Sequence, residues 1–103
     1  MPYVSGDDLD SRLLRLSPED NVAVAKRAIE AGATLMIAGR GVAVPVAIPL
    51  GHKVALRAIA VGEKAIKYGA PIGSAAAAIA PGDHVHIHNL KSDYLPSFGV
   101  EDP

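Results

Sequence analysis

The chain has 103 residues, with ten Lys and Arg, eleven Asp and Glu, four His and no Cys, and a formal net charge of −1. This length predicts one small domain, and a balanced charge without a basic run gives no electrostatic footprint for nucleic acid or for a membrane surface. The lack of Cys excludes disulfides, thiolate metal sites and cysteine nucleophiles, but it leaves the redox compartment open.

Hydrophobic residues make up 50% of the chain, but aromatic residues make up only 4%. Ala, Val, Ile and Leu therefore carry the core, and they bury less area per residue than aromatic side chains do. We expect a thin core that gains stability by association with another copy or another subunit. No apolar run reaches the ~18 residues of a membrane span, and the acidic start lacks the apolar segment of a signal peptide. We therefore predict a cytoplasmic protein.

The N-terminal part is predicted to consist of a flexible leader over residues 1–11 and a first strand at Arg12–Leu16. The next segment is ambiguous on its local pattern. The pair Ser17-Pro18 is typical of a helix start, whereas Asn21–Ala25 has the alternating Val and Ala of a strand. A similar sequence recurs at Lys53–Ile59, and this parallel favours the strand.

Ten Gly and eight Pro divide the rest of the chain into segments that suit short strands better than long helices. The predicted strands after Gly39 are Val42–Val46, Lys53–Ile59, Ala65–Tyr68, Ser74–Ile79 and His84–Asn89. Copies of the motif Ala-Ile-x-x-Gly end at Gly32, Gly62 and Gly82. Since a Gly can adopt positive φ, we interpret each copy as a short turn that leads into the next strand.

These elements are assigned to one domain over residues 12–91, followed by a C-terminal tail over residues 92–103. The tail has no periodicity, yet it contains Tyr94, Leu95 and Phe98. It is either a frayed terminus or a segment that packs on a partner.

Three of the four His lie in His84–His88, where they alternate with Val85 and Ile87. On a strand, this alternation points Val85 and Ile87 into the core and the imidazoles to the other face. Neighbours at i and i+2 stand ~7 Å apart at Cα and can share a divalent ion, whereas the outer pair stands ~13 Å apart. Two of the three are therefore expected to bind a metal; the alternative is a solvated polar face without an ion.

Two further motifs place polar groups at strand ends. His52 and Lys53 follow a Pro-Leu-Gly turn, where a Lys can hold a carboxylate and a His can transfer protons. Lys67 and Tyr68 precede a second sharp turn and can present two donors to an oxygen-rich ligand. The simpler interpretations are surface charges for the first pair and a tyrosine laid over the sheet edge for the second.

Taken together, these motifs resemble the SAF domain of the altronate and galactarate dehydratase family. The segment Ile48–Leu90 contains Gly-His-Lys-Val-Ala-Leu, Lys-Tyr-Gly and Val-His-x-His-Asn in the family's order, and Asp20–Ala25 looks like the family's first motif. The likeness covers roughly residues 17–91. It implies a mainly β, SAF-type β-clip of short strands and bent hairpins with little helix, in agreement with the predicted strands.

The resemblance also implies a function and a set of site residues. The function is dehydration of a sugar acid such as altronate or galactarate, with a divalent ion that is often Fe²⁺; Mn²⁺, Mg²⁺ and Zn²⁺ are the alternatives. The site residues implied by match to the family's motifs are His52, Lys53, Lys67 and Tyr68 as catalytic residues, Asn89 and Asn21 as substrate-binding residues, and His86 and His88 as metal ligands with His84 as a third candidate.

The resemblance finally implies a partner. Fused members of the family continue into a much longer catalytic region, and the acidic residues near the motifs here are only Glu63, Asp83 and Asp93. An oxygen-rich cage for a hard cation needs more carboxylates. We therefore expect a separately encoded large catalytic subunit to complete the site. Two alternatives stay open: a non-catalytic SAF module that binds sugar acids, and the small subunit of a sulfolactate sulfo-lyase.

Overall fold

A computed structural model describes residues 9–92, and this part of the chain contains nine β-strands and no helix. The strands are β1 (Leu13–Leu14), β2 (Val22–Ala25), β3 (Thr34–Ile37), β4 (Arg40–Ala43), β5 (Lys53–Ala55), β6 (Lys64–Lys67), β7 (Ala70–Ala75), β8 (His84–Val85) and β9 (Leu90–Lys91). The predicted mainly β class is confirmed. Within residues 9–92 no helix exists that could cross a bilayer.

The strands form three antiparallel sheets. The central sheet has four strands in the order β1-β2-β5-β8, β3 and β4 form a separate hairpin, and the third sheet has the order β6-β7-β9. The formation of β2 confirms the strand over the ambiguous segment. Ser17 and Asp20 instead close a turn before β2, in which the Asp20 N–H donates to the Ser17 carbonyl at 3.0 Å.

Most of the predicted strands extend too far at their carboxyl ends. The chain bends at Pro45-Val46, Leu56-Arg57 and Ala76-Ala77, directly after β4, β5 and β7 or one residue later. Each bend turns the chain towards the next Ala-Ile pair, which forms an isolated bridge and not part of a strand. The apolar residues that suggested one longer strand therefore belong to a short strand and to the isolated bridge that follows the bend.

The chain consists of two copies of one unit that share β5. The first copy runs from β2 to β5 and the second from β5 to β8. In the first copy, Ile29 and Ile48 exchange two backbone hydrogen bonds of 2.9 and 2.8 Å; in the second, Ile59 and Ile79 exchange two of 2.9 Å. The sequence contains a fourth copy of the motif, Ala47–Gly51, which the sequence analysis missed; it forms the same kind of turn, with Gly51 at a φ of 85°.

One extra residue distinguishes the second unit from the first. The four residues of β3 pair with those of β4 without interruption. In the hairpin β6–β7, Ala65 pairs with Gly73 but Ile66 pairs with Pro71, which leaves Ile72 as the extra residue. This β-bulge bends β7, the strand that also pairs with β9.

Two apolar cores lie on opposite sides of the central strands. Val54 of β5 packs in one core, and the next residue, Ala55, packs in the other; Ala23 and Val22 of β2 divide in the same way. The first core contains Leu13, Ala23, Ala25, Ile29, Leu35, Ile37, Val44, Ile48 and Val54, and the second contains Val22, Ala55, Ile59, Ala65, Ala75, Ile79 and Val85. Neither contains an aromatic residue, as the composition predicts.

Asn21 attaches the second hairpin to the central sheet. Its side chain is buried, its Nδ2 donates to the Lys64 carbonyl at 3.0 Å, and its Oδ1 accepts from the Ile66 N–H at 2.6 Å. The backbone N–H of Asn21 also donates to the Ile66 carbonyl at 3.2 Å. Both polar groups of this amide are therefore occupied by backbone.

Asp10 makes the equivalent attachment to the first hairpin. Its N–H donates to the Met36 carbonyl at 2.7 Å, and its carboxylate accepts from the Met36 N–H at 3.0 Å. Hydrogen bonds from the Arg12 guanidinium hold the pKa of Asp10 well below its usual range. Since Leu9 also bridges to Ile37, the folded part begins before the predicted boundary at residue 12. Residues 1–8 of the predicted leader and residues 93–103 of the tail, with Tyr94, Leu95 and Phe98, lie outside the described residues.

The repeated turns allow a matched test of packing. Gly62 and Gly82 have φ of 84° and 88°, but a Cβ on Gly62 would meet nothing within 4 Å, whereas one on Gly82 would lie 2.6 Å from Val42 Cγ1. We expect Gly62→Ala to lower the free energy of unfolding by about 1–2 kcal/mol through φ strain. Gly82→Ala should carry the same strain and lower the free energy of unfolding by a further amount of about 1–3 kcal/mol, because the added methyl group overpacks against Val42. Urea denaturation of both variants measures the difference. Equal losses would contradict the close approach at Gly82.

Asn21→Ala removes two hydrogen bonds and leaves partly buried backbone groups of Lys64 and Ile66 without these partners. We expect a loss of about 2–4 kcal/mol in the free energy of unfolding, since each such group costs about 1–3 kcal/mol. Lys26→Ala, on an exposed side chain just after β2, is the control and should change stability by less than about 0.5 kcal/mol. Thermal and urea unfolding check both values, and a neutral Asn21→Ala would refute the attachment.

Candidate metal and anion site

The pairing of β5 with β8 brings three histidines together. The two strands are antiparallel, with Lys53 opposite Val85 and Val54 opposite His84. His52, directly before β5, therefore lies next to His86, directly after Val85. His84 and His86 are two residues apart, and their side chains point to the same side as that of His52.

The three imidazole rings are in contact. The His52 Nδ1 and the His84 Nε2 are 2.8 Å apart, a hydrogen-bond distance. The ring centroids of His52 and His86 are 4.6 Å apart, and those of His84 and His86 are 5.2 Å apart, in stacked orientations. One ring nitrogen of each residue lies within 4.8 Å of the others. We call this group the imidazole cluster.

Hydrogen bonds from the Asn89 side chain fix the backbone conformation at His86. Its Oδ1 accepts from the His86 N–H at 2.9 Å, and its Nδ2 donates to the His84 carbonyl at 2.8 Å. These bonds close a turn immediately after Val85, so the strand predicted over His84–Asn89 ends after two residues. The prediction that Ile87 points into the core is wrong, because its side chain is 85% exposed.

The turn also separates His88 from the imidazole cluster. His88 is exposed, and its ring contacts that of His84 in a tilted arrangement with centroids 5.5 Å apart. The sequence motif grouped His86 with His88, whereas the structure groups His86 with His84 and with His52 from the neighbouring strand. No local sequence signal identifies His52 as a member, because its position depends on the register between β5 and β8.

The electrostatic environment of the site is cationic. Burial lowers the pKa of His84, and nearby imidazoles beginning with His52 lower it further. Desolvation and then the charge of His52 lower the pKa of His86. Burial, followed by the positive charge of Lys67, lowers the pKa of Lys53. In the described part of the chain, every charged group that shifts these three pKa values is positive, so the site favours an anion or neutral, metal-binding imidazoles.

The other predicted site residues have different surroundings. Tyr68 is 75% exposed at the tip of the hairpin β6–β7, with φ of 59°. The buried Asp20 carboxylate holds this tip by accepting from the N–H groups of Tyr68 and Gly69 at 2.8 Å. Tyr68 therefore does not belong to the imidazole cluster, and the polar groups of Asn21 and Asn89 are already bonded to backbone.

A cleft of about 320 Å³ lies beside the cluster. Its lining includes His84, His88 and Asp83 on one side and the apolar residues Val46 and Ala77 on another. A second cavity, of about 350 Å³, lies elsewhere between Arg15 and Arg57. A small ligand in the cleft next to His84 could contact the His84 and His88 rings.

The imidazole cluster fits the divalent ion that the family resemblance implies. Neutral imidazole is a common ligand of Zn²⁺ and Fe²⁺, and ligand nitrogens on one tetrahedral ion stand roughly 3.4 Å apart. The nitrogens of the three residues already lie within 4.8 Å of one another, so modest rotations of the rings bring their lone pairs together.

Comparison with known proteins identifies the family. The model of the altronate/galactarate dehydratase SAF domain matches residues 11–93. The chain is 39% identical to an altronate dehydratase of Bacillus subtilis (strain 168) and 41% identical to one of Escherichia coli (strain K12), in each case over 80 residues that make up 78% of this chain. It spans only 16% of the length of these two relatives.

A second group of relatives is smaller. The chain is 50% identical over 46 residues to the (2R)-sulfolactate sulfo-lyase subunit alpha of Chromohalobacter salexigens, and this segment is 45% of the chain and 49% of that subunit. The subunit alpha is therefore a protein of about this chain's length. With the family model covering most of the described residues, the chain belongs to the altronate/galactarate dehydratase SAF domain family.

Proposed function

We propose that this chain is the small subunit or SAF domain of a hydro-lyase that dehydrates a sugar acid of the altronate or galactarate type. The observation that carries the proposal is the convergence of His52, His84 and His86 within electrostatic range of Lys53, which in turn lies near Lys67. Because two of its relatives are described as subunit alpha of a sulfolactate sulfo-lyase, we propose that a separate large subunit supplies the rest of the active site. The proposal includes the cytoplasmic location expected from the sequence.

The proposed reaction is a β-elimination. The proton on the carbon next to the carboxylate and the hydroxyl on the following carbon leave together as water, and a carbon–carbon double bond forms between the two carbons. Loss of the proton places negative charge on the carboxylate oxygens, which needs positive charge nearby. Lys53 and Lys67 supply that charge, and an imidazole such as His52 moves the proton.

The metal and the hairpin tip have supporting parts in this proposal. A divalent ion held by the imidazoles, with Fe²⁺ as the first candidate, would act as a Lewis acid on the carboxylate and hydroxyl oxygens. Tyr68 has a positive φ, and a bulky residue keeps such a conformation only where its surroundings hold it, as Asp20 does here. We propose that this fixed, exposed side chain contacts the substrate or the large subunit.

A second candidate function is the elimination of sulfite from sulfolactate. The specific support is the 50% identity to a sulfolactate sulfo-lyase subunit alpha, a higher value than for the two altronate dehydratases although over a shorter segment. The same residues would bind the carboxylate and move the proton, while sulfite would replace water as the leaving group.

Purification of the tagged chain from its native host tests the proposal and its alternatives together. We expect a large subunit to co-purify, and we expect the complex, but not the chain alone, to consume altronate or galactarate in a coupled assay. Release of sulfite from sulfolactate by the complex would establish the second candidate instead. A chain that binds an aldonate tightly in calorimetry without any partner would be a non-catalytic module, contrary to the proposal.

Lys53→Met removes the ammonium but keeps the aliphatic part of the side chain. In the complex we expect kcat/KM to fall by at least ~100-fold, the effect of losing one group that stabilises transition-state charge. Lys26→Met is the matched control, because its exposed side chain belongs neither to the imidazole cluster nor to the Lys53–Lys67 pair, and it should leave kcat/KM within about twofold. Full activity of Lys53→Met in an intact complex would contradict the role of Lys53.

A further inference from the structure

We infer that His52, His84 and His86 form, within this chain alone, an open site for a first-row transition ion such as Fe²⁺ or Zn²⁺. The inference rests on the proposed function for its purpose, but its geometry comes from residues of this chain only. It differs from the ligand set implied by the family resemblance, because it includes His52 and leaves out His88.

The distances support a three-nitrogen site. The His52 and His84 nitrogens at 2.8 Å are already closer than two ligands on one tetrahedral ion, roughly 3.4 Å. His86 has a ring centroid within 5.2 Å of both other rings. An ion can therefore replace the hydrogen bond between His52 and His84 and recruit His86 by tilting its ring.

The strand pairing and hydrogen bonds that position the three histidines all lie within this domain. His52 and His84 are held by the pairing of β5 with β8 in the central sheet, whose Val54 and Val85 are fully buried. The position of His86 is determined by the two hydrogen bonds of the Asn89 side chain. Ligands on paired strands with bonded backbones are preorganised, so the site needs no contribution from a partner to exist.

The ligand chemistry determines which ions fit. A set of imidazole nitrogens suits Zn²⁺, Fe²⁺, Co²⁺ and Ni²⁺, whereas Mg²⁺, Ca²⁺ and Mn²⁺ prefer carboxylate, carbonyl and water oxygens. Within the described residues, the cluster that could hold an ion contains histidines alone. Three protein ligands leave coordination positions open, and one of the three, His84, lines a cleft.

His88 provides a control of the same residue type in the same motif. Its ring contacts His84 with centroids 5.5 Å apart, and it is not part of the group whose nitrogens converge. The family resemblance instead implies His86 and His88 as the ligands. The two arrangements therefore predict opposite effects for His52 and His88.

The test is a titration of the purified chain with Co²⁺, a spectroscopic probe, and with Zn²⁺ in calorimetry. We expect one ion per chain and visible Co²⁺ absorption bands of low coordination number. His52→Ala, His84→Ala and His86→Ala should each weaken binding by more than about 10-fold, at least the effect of losing a supporting outer-shell partner, while His88→Ala changes it by less than about threefold. Mg²⁺ should not compete.

Imidazole resonances of the unmodified chain provide a second measurement that does not depend on whether the variants fold. Zn²⁺ should shift the ring nitrogens of His52, His84 and His86 by far more than those of His88. Binding that is lost in His88→Ala but kept in His52→Ala would overturn the inference, and so would a chain that binds no Co²⁺ or Zn²⁺. Metal binding by the chain together with an inactive complex would leave the site standing and refute the lyase function.

Discussion

Both hairpins of this domain depend on hydrogen bonds from side chains that precede a central strand. The Asn21 side chain accepts from and donates to the backbone of β6. The Asp10 carboxylate accepts from the Met36 N–H of β3, and the Asp10 backbone N–H donates to the Met36 carbonyl. The Asn21 side chain occupies partly buried backbone groups of β6, and leaving such groups without a partner would cost about 1–3 kcal/mol apiece. The bond from the Met36 N–H to Asp10 is exposed. The orientation of each hairpin relative to the central sheet, and hence the placement of Lys67 near Lys53, follows from these few polar contacts.

Local patterns in the sequence predicted much of the fold, and long-range register accounts for what they missed. The alternating residues of Asn21–Ala25 and the repeated Ala-Ile-x-x-Gly turns are local features, and both were predicted. The strand over His84–Asn89 was not correct beyond Val85, because the Asn89 side chain offers the backbone hydrogen bonds that compete with strand pairing. Alternation alone does not show whether an Asn further along the chain closes a turn.

The candidate site shows the same division between local and long-range information. The motifs identified His84, His86 and the pair His52-Lys53 as polar groups worth attention, but they placed them in separate sites. The pairing of Lys53 with Val85 merges the two, and no residue near His52 in sequence encodes that pairing. The roles of Asn21 and Asn89 also depend on tertiary contacts, since an amide in a motif looks the same whether it binds a ligand or a backbone carbonyl.

The shared strand β5 has a consequence for how the domain unfolds. Val54 and Ala55 face different apolar cores. Loss of either core would therefore expose one face of a strand that also packs in the other core. Cooperative units often coincide with supersecondary motifs such as these hairpins, but here the two cores have β5 in common. The domain is therefore expected to melt in a single transition, and loss of either half would release the strand that carries Lys53 and adjoins His52.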